Sequence, residues 1–335
     1  MPSADLTLAE CRAYRPELPL PDGFDAFWSD TLDERAPGGA PDRRPRFDEV
    51  DSGLVQVRAY DVSVPGHDGR PVRGWLRMPA GATGPLGCVV EFLGYGRGRG
   101  LAHEQLMWAC AGYAHLVMDT RGQGWSSATG DTPDTDPGSA GSVPGFLTRG
   151  VESPATHYYR RVFTDAVRCV RAMREHPEVD PARIVVTGVS QGGGIALAVA
   201  GLVPGLAGVM PDVPFLCNIP RAARIAATPP YTEIAAYLRL HRDRVEPVFH
   251  TLSYFDGAHH ATRATAPALF SIAMADDVCP PSTCFTAYNR YAGPKDVRVY
   301  EFNGHEGGAE HHRAEQLAWV RALFAGLSAD RTDHA

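Results

Sequence analysis

The chain has 335 residues, 44% apolar and 21% charged: enough for one large domain or two ordinary ones, and too balanced for a disordered, collagen-like or coiled-coil protein. Its net charge of −7 is spread without blocks, leaving no electrostatic case for nucleic acid or an anionic membrane. Seven cysteines, an odd number without a CxxC pair, point to reduced and mostly buried thiols.

The first 50 or so residues form a Pro-rich N-terminal extension, with Asp5 and Glu10 where a signal peptide needs an apolar core, so a cytoplasmic protein is expected. Residues 55–64 and 71–79 flank Gly-His-Asp-Gly and read as a β-hairpin. The chain then alternates. CVVEFLG (88–94) is an apolar β-rich run, residues 101–113 have helical spacing, and AHLVMDT (114–120) is strand-like again, which implies a parallel sheet. Residues 122–153, rich in Gly, Pro, Ser, Thr and Asp, are too long and irregular for an ordinary connection and read as a functional or interface loop. After Pro154, Tyr159, Val162, Phe163, Ala166, Val167, Val170 and Met173 recur at three and four residues until Pro177, an amphipathic helix covering one sheet face.

Residues 184–211 carry no charge and are long enough for a membrane span, but Pro204, Gly205 and the glycines at 192–194 divide them into strand, turn, helix and strand. Residues 215–265 interrupt the alternation with helix-like pieces and are expected to cap the sheet edge. A strand at 267–275, a helical stretch near 282–292, a strand at 297–303 and a final helix over about 310–327 restore it. With no internal repeat and no compositionally distinct second part, 1–335 is expected to be a single domain.

The sharpest local pattern is Gly188-Val189-Ser190-Gln191-Gly192, a GxSxG between a predicted strand and a predicted helix, the setting a nucleophile elbow requires. A serine hydroxyl needs a base, normally a histidine oriented by a carboxylate, in the chain order Ser, acid, His. Asp276 directly follows the strand at 267–275 and His305 the strand at 297–303, so both fall at carboxyl ends of parallel strands, where open α/β sheets bind ligands. Asp277 is the competing orienter, with Asp276 preferred partly on the resemblance below. The pairs His311/His312 and His259/His260 read as surface residues, and Cys279 and Cys284 as packing. Donors to an oxyanion come from the backbone N–H after the nucleophile, here Gln191, and from the Gly-rich loop GYGRGRG (94–100), where Tyr95 is placed to give the second. That loop matches neither a phosphate-loop nor a dinucleotide pattern, and neither a metal nor a cofactor is expected. A neutral imidazole base implies activity that falls as the pH drops through roughly 6 to 7.

Together these residues resemble the acetyl xylan esterase / cephalosporin C deacetylase family (carbohydrate esterase family 7) of the α/β-hydrolase superfamily. Arg121-Gly122-Gln123, Gly188 to Gly192 and His305-Glu306 match its RGQ, GxSQG and HE signatures in order, and GYGRGRG, VMDTRGQG, PGFLTRG, YYRRVFTDAVR, DVPFLC, TLSYFDG and CPPST extend the match from about 20 to 325. The resemblance implies an α/β-hydrolase fold: a mostly parallel twisted sheet with helices on both faces and a cap-like insertion. It implies a serine esterase acting on acetylated xylo-oligosaccharides and on cephalosporin C, with Ser190 as nucleophile, Asp276 as orienter, His305 as base, and Tyr95 and Gln191 as oxyanion donors. It also implies a homo-hexamer whose sites open to an internal chamber; RGQ itself reads as structural rather than catalytic, with Arg121 bridging loops below the site. Gly96, where the family more often has Asn, and Ala275 and Asp277 beside the acid are departures. The rival readings are a general short-chain carboxylesterase and a non-catalytic hydrolase-fold binding protein, which would most naturally have lost a triad position.

Overall fold

A computed structural model describes residues 5–33, 44–134 and 143–332, with side chains to residue 328; parts of the expected N-terminal extension and of the 122–153 loop lie outside these. The extension supplies α1 (Leu8–Ala13), α2 (Phe24–Asp33) and the edge strand β1 (Arg46–Val50). A capping box starts α1, Thr7 Oγ1 accepting the Glu10 N–H while the Glu10 carboxylate accepts the Thr7 N–H. The hairpin is β2 (Val57–Pro65) and β3 (Pro71–Pro79), and the alternating part runs β4 (Leu86–Phe92), α3 (Met107–Cys110), β5 (Ala114–Met118), α4 (Tyr158–Arg174), β6 (Val179–Val189), α5 (Gln191–Leu202) and β7 (Gly208–Asp212). The insertion holds α6 (Ile219–Ile225), α7 (Thr232–Leu240), α8 (Val245–Ser253) and α9 (Gly257–Ala261); β8 (Ala268–Ala273), α10 (Pro281–Arg290), β9 (Lys295–Tyr300) and α11 (Ala309–Thr332) complete the chain.

The strands form one sheet in the order β1-β2-β3-β5-β4-β6-β7-β8-β9. The pairings from β1 through β3 to β5 are antiparallel, and from β5 onward all are parallel. Since β4 lies between β5 and β6, the chain leaves it first to one side and then to the other, opening a crevice at the carboxyl ends of β4 and β6.

Helices cover both faces, which is why the central strands read as unbroken apolar runs. On β4, Cys88, Val90 and Phe92 enter the larger core with α4, α5 and α10, while Val89 enters the smaller one with Trp108, Val320 and Phe324 from α3 and α11. β6 alternates the same way, Ile184 and Val186 against Val185. The uncharged stretch 184–211 is thus a central strand, an almost wholly buried helix and the next strand. Among the described residues no helix is long and apolar enough to cross a membrane. All seven cysteines are free, and only Cys110 is exposed.

Three expectations need correction. The helix read over 101–113 shrinks to α3, because the Arg77 guanidinium donates to the carbonyls of Leu101 and Ala102 and the Trp75 indole to that of Gly100, claiming acceptors a helix would use. The insertion does not sit on a sheet edge: β1 and β9 are the edges, and α9 packs on α5 and α10. His259, His260 and His312 are buried, and only His311 of the two pairs is at the surface.

Candidate active site

Ser190 ends β6 and precedes α5 with φ 59° and ψ −118°, a strained conformation for a residue with a Cβ. The surroundings impose it. The Ser190 N–H donates to the Asp212 carbonyl (2.9 Å) on β7, and its own carbonyl accepts from Gly194 (3.0 Å) and Phe215 (2.9 Å). Gly192 must be glycine: a Cβ there would lie 2.0 Å from the Phe92 carbonyl oxygen of β4.

Asp276 and His305 arrive on the loops after β8 and β9. His305 Nε2 is 3.0 Å from Ser190 Oγ, and Nδ1 is 2.9 and 3.1 Å from the two Asp276 carboxylate oxygens. The Asp276 carboxylate is buried and also accepts the N–H groups of Val278 (2.9 Å) and Cys279 (2.8 Å), which fixes its direction. Asp277 is exposed and makes no contact of this kind. The imidazole side chain stays 30% exposed, open enough to exchange protons with a substrate or water.

The turn after β4 stands beside the elbow. Gly96 has φ +82°, a left-handed conformation shared by Gly and Asn, so the departure from the family's Asn keeps the turn. The backbone N–H groups of Tyr95 and Gln191 have no acceptor among the described residues, while their side chains are tied elsewhere. Gln191 Oε1 accepts from Gln123 Nε2 (2.8 Å) and from the Tyr159 hydroxyl (2.9 Å), and Gln191 Nε2 donates to the Leu93 carbonyl (3.1 Å). Gln123 Oε1 in turn accepts the Gly96 N–H at 2.7 Å. Asp119 secures the rest of the turn by accepting the N–H groups of Arg99 (2.9 Å), Asp131 (2.6 Å) and Thr132 (2.7 Å). Arg121 forms a two-pronged buried pair with Asp165 (2.6 and 2.8 Å), which ties its loop to the helix α4.

A cavity of about 580 Å³ opens over these groups, lined by Tyr95, Ser190, His305, Ser126, Val278 and the insertion's Pro229 and Pro230. Asp276, Cys279 and His305 offer donor atoms within 4.8 Å of one another, among the described residues the one cluster a metal could use. Asp276 and His305 are already bonded to each other, and burial, reinforced by Asp276, pushes the Cys279 thiol well above its ordinary range, so the sulfur is a protonated neighbour 4.0 Å from Ser190 Oγ. The arrangement suits acyl transfer: a nucleophile bonded to a base, a base bonded to an acid, and two free N–H groups beside them.

Of two further residues around the site, one went unread in the sequence and the other was read as a surface residue. Glu233, in the insertion, reaches the Tyr95 hydroxyl, and His312 of α11 lies 2.8 Å from the Asp212 carboxylate in the cavity wall. The HE-following helix could have signalled the second, since one turn of α11 separates His312 from the His305 loop; no local pattern signals the first.

Residues 1–323 match the family model described as acetyl xylan esterase (AXE1). An acetyl xylan esterase from Paenibacillus sp. R4 superposes with a TM-score of 0.86 at 39% identity, over 95% of this chain and 99% of that one. Acetyl xylan esterase 1 from Thermoanaerobacterium sp. JW/SL YS485 gives 0.85 at 31% identity, over 96% and 99%. An acetyl esterase, Axe7A, from Xylanibacter ruminicola is 27% identical over 188 residues, 53% of this chain but only 39% of that longer protein.

Proposed function

Because the chain belongs to the acetyl xylan esterase family, whose members are carboxylic ester hydrolases on the α/β-hydrolase fold, we propose that it is a serine esterase releasing acetate from small acetylated sugars, xylo-oligosaccharides foremost, and from cephalosporin C. The observation that carries this is the unbroken hydrogen-bonded line from Ser190 Oγ through His305 to Asp276. In this reading Ser190 Oγ attacks the acetyl carbonyl and His305 Nε2 takes the hydroxyl proton. The N–H groups of Tyr95 and Gln191 donate to the oxyanion, and Asp276 steadies the imidazolium through Nδ1–H. Collapse of the tetrahedral intermediate breaks the bond to the sugar oxygen, which leaves with the proton held on His305. A water then attacks the acetyl-Ser190 ester, gives its proton to His305, and acetate departs as the proton returns to Ser190 Oγ.

The test is acetate release from acetylated xylobiose and cephalosporin C beside a two- to eight-carbon acyl series on one chromogenic alcohol, for wild type and Ser190→Ala. Acetyl-selective turnover that falls by roughly 10⁴-fold or more in the variant is expected. Preference for longer chains would replace the sugar deacetylase with a general carboxylesterase, and an active Ser190→Ala would remove the nucleophile. The family resemblance is also the basis for proposing a hexamer; a sedimentation mass near that of one chain would end that proposal.

A further inference from the structure

We infer that Glu233, in the first turn of α7, is a positioning residue for the oxyanion hole: it fixes Tyr95, and through Tyr95 the backbone N–H that meets the oxyanion. The inference rests on the reading of Tyr95 as an oxyanion donor. The Tyr95 hydroxyl donates to Glu233 Oε1 at 2.6 Å, and its oxygen accepts the N–H groups of Gly145 (3.2 Å) and Phe146 (3.1 Å). Glu233 completes the knot by accepting from Gly145 at Oε1 (3.0 Å) and from Leu147 at Oε2 (3.1 Å). The ring between them is held edge-on by Trp125, Phe146 and Phe215, with centroids at 5.4, 5.9 and 6.3 Å.

Support of this kind is needed because the turn is weak by itself. Tyr95 stands between Gly94 and Gly96, so its backbone has more conformational freedom than any fixed N–H direction allows. Gln123 Oε1 pins the peptide on one side by accepting from Gly96 N–H, and the Tyr95 side chain is the anchor on the other. A carboxylate is a costly way to fill this space: burial raises the Glu233 pKa, and the Tyr95 hydroxyl and the Leu147 and Gly145 N–H groups are what offset part of that cost. An apolar side chain would pack there without the penalty, so the carboxylate is there for the bonds it accepts. The consequence is that the insertion does more than roof the cavity. Its docking completes the oxyanion hole, since Glu233 lies 138 residues from the loop it braces.

Steady-state kinetics on one acetyl ester test this with Tyr95→Phe, Glu233→Gln, Glu233→Ala and the double Tyr95→Phe/Glu233→Ala, each normalised by active-site titration. Affinity for a boronic acid, which forms a tetrahedral adduct on Ser190, is measured alongside. A brace predicts kcat down by about 10- to 100-fold with KM changed less than about threefold, short of the full loss of a donor. The boronic acid Ki should rise in step with the fall in kcat, the double should be no worse than the worse single, and Glu233→Gln should recover part of the loss through its retained Oε1. A merely structural Glu233 would lower Tm and leave normalised kcat and Ki at wild type, and that result overturns the inference, as do a rise in KM alone or additive losses. Tyr95→Phe keeps the ring packing and decides the matter if Glu233→Ala does not fold. With Ser190→Ala inactive, wild-type kcat in Tyr95→Phe and Glu233→Ala alike sinks the brace alone; an active Ser190→Ala sinks the esterase mechanism beneath it.

Discussion

The two sides of the oxyanion hole are built from different materials. Gln191 is held by neutral groups inside the core: the Gln123 amide, the Tyr159 hydroxyl and the Leu93 carbonyl, all buried or on buried strands. Tyr95 is held by a carboxylate that an insertion supplies. The insertion in turn is anchored by uncharged histidines, since His259 and His260 of α9 sit against Phe24 of α2, and His260 also against Trp28 of α2 and Phe163 of α4. The elbow side is therefore built on neutral core groups and indifferent to protons near neutral pH, whereas the turn side depends on groups of an insertion whose protonation can change.

Gln123 is the residue that touches both sides, so its removal is the harshest way to break the distinction. Gln123→Ala leaves the Gly96 N–H without its acceptor and takes one of two donors from Gln191 Oε1. We expect kcat to fall by about 10²-fold, more than for either Glu233 variant, and stability to fall by about 2 to 4 kcal/mol. Denaturant melts and normalised kinetics check it; a variant with wild-type kcat would mean that each side stands without the link.

The same division separates what the sequence disclosed from what it hid. Ser190 was legible because strand, turn and helix lie within one short window, and Asp276 and His305 because each directly follows an apolar strand. The preference for Asp276 over Asp277 leaned on the family resemblance, as adjacent carboxylates on a loop have no periodicity to tell them apart. Glu233 was illegible because its partner is fixed by tertiary docking alone. His259 and His260 looked like surface polar residues; a five-residue helix is too short to show a buried face, and the aromatic side chains that cover them come from the extension and α4. The helix expected over 101–113 failed because Arg77 on β3 competes for its carbonyls, a contact that spacing cannot reveal.

Acid sharpens the comparison next. Burial pushes His157 and His259 down to about 4 and His260 to about 3, so all three rings are neutral in the fold. An unfolded chain takes up protons on them below about pH 6.5, so stability is full above that pH and is lost as the pH falls toward 4, by about 1.4 kcal/mol per unit for each ring. Asp256, pushed up to about 6 by burial, works in the opposite sense between roughly pH 6 and 4 and offsets about one of the three. Thermal melts from pH 7 to 4.5 should show the decline, and His260→Phe should flatten it by about half. Hydrogen exchange should find α9 opening before α5; simultaneous loss of protection would erase the difference between the two sides.

The gentlest probe asks whether the elbow side is as self-sufficient as it looks. Tyr159→Phe removes one hydroxyl from Gln191 Oε1, which keeps the Gln123 donor at 2.8 Å, and leaves the ring in the core among Tyr158, Phe163 and His157. Because the acceptor stays satisfied and no new donor is stranded, the cost should be about 0.5 to 1.5 kcal/mol of stability with kcat within about twofold of wild type. Glu233 offers no such redundancy, since the Tyr95 hydroxyl donates to it alone. A tenfold fall in kcat for Tyr159→Phe would show that the Gln191 N–H is also steered from a distance, and that both halves of the oxyanion hole depend on a side-chain brace.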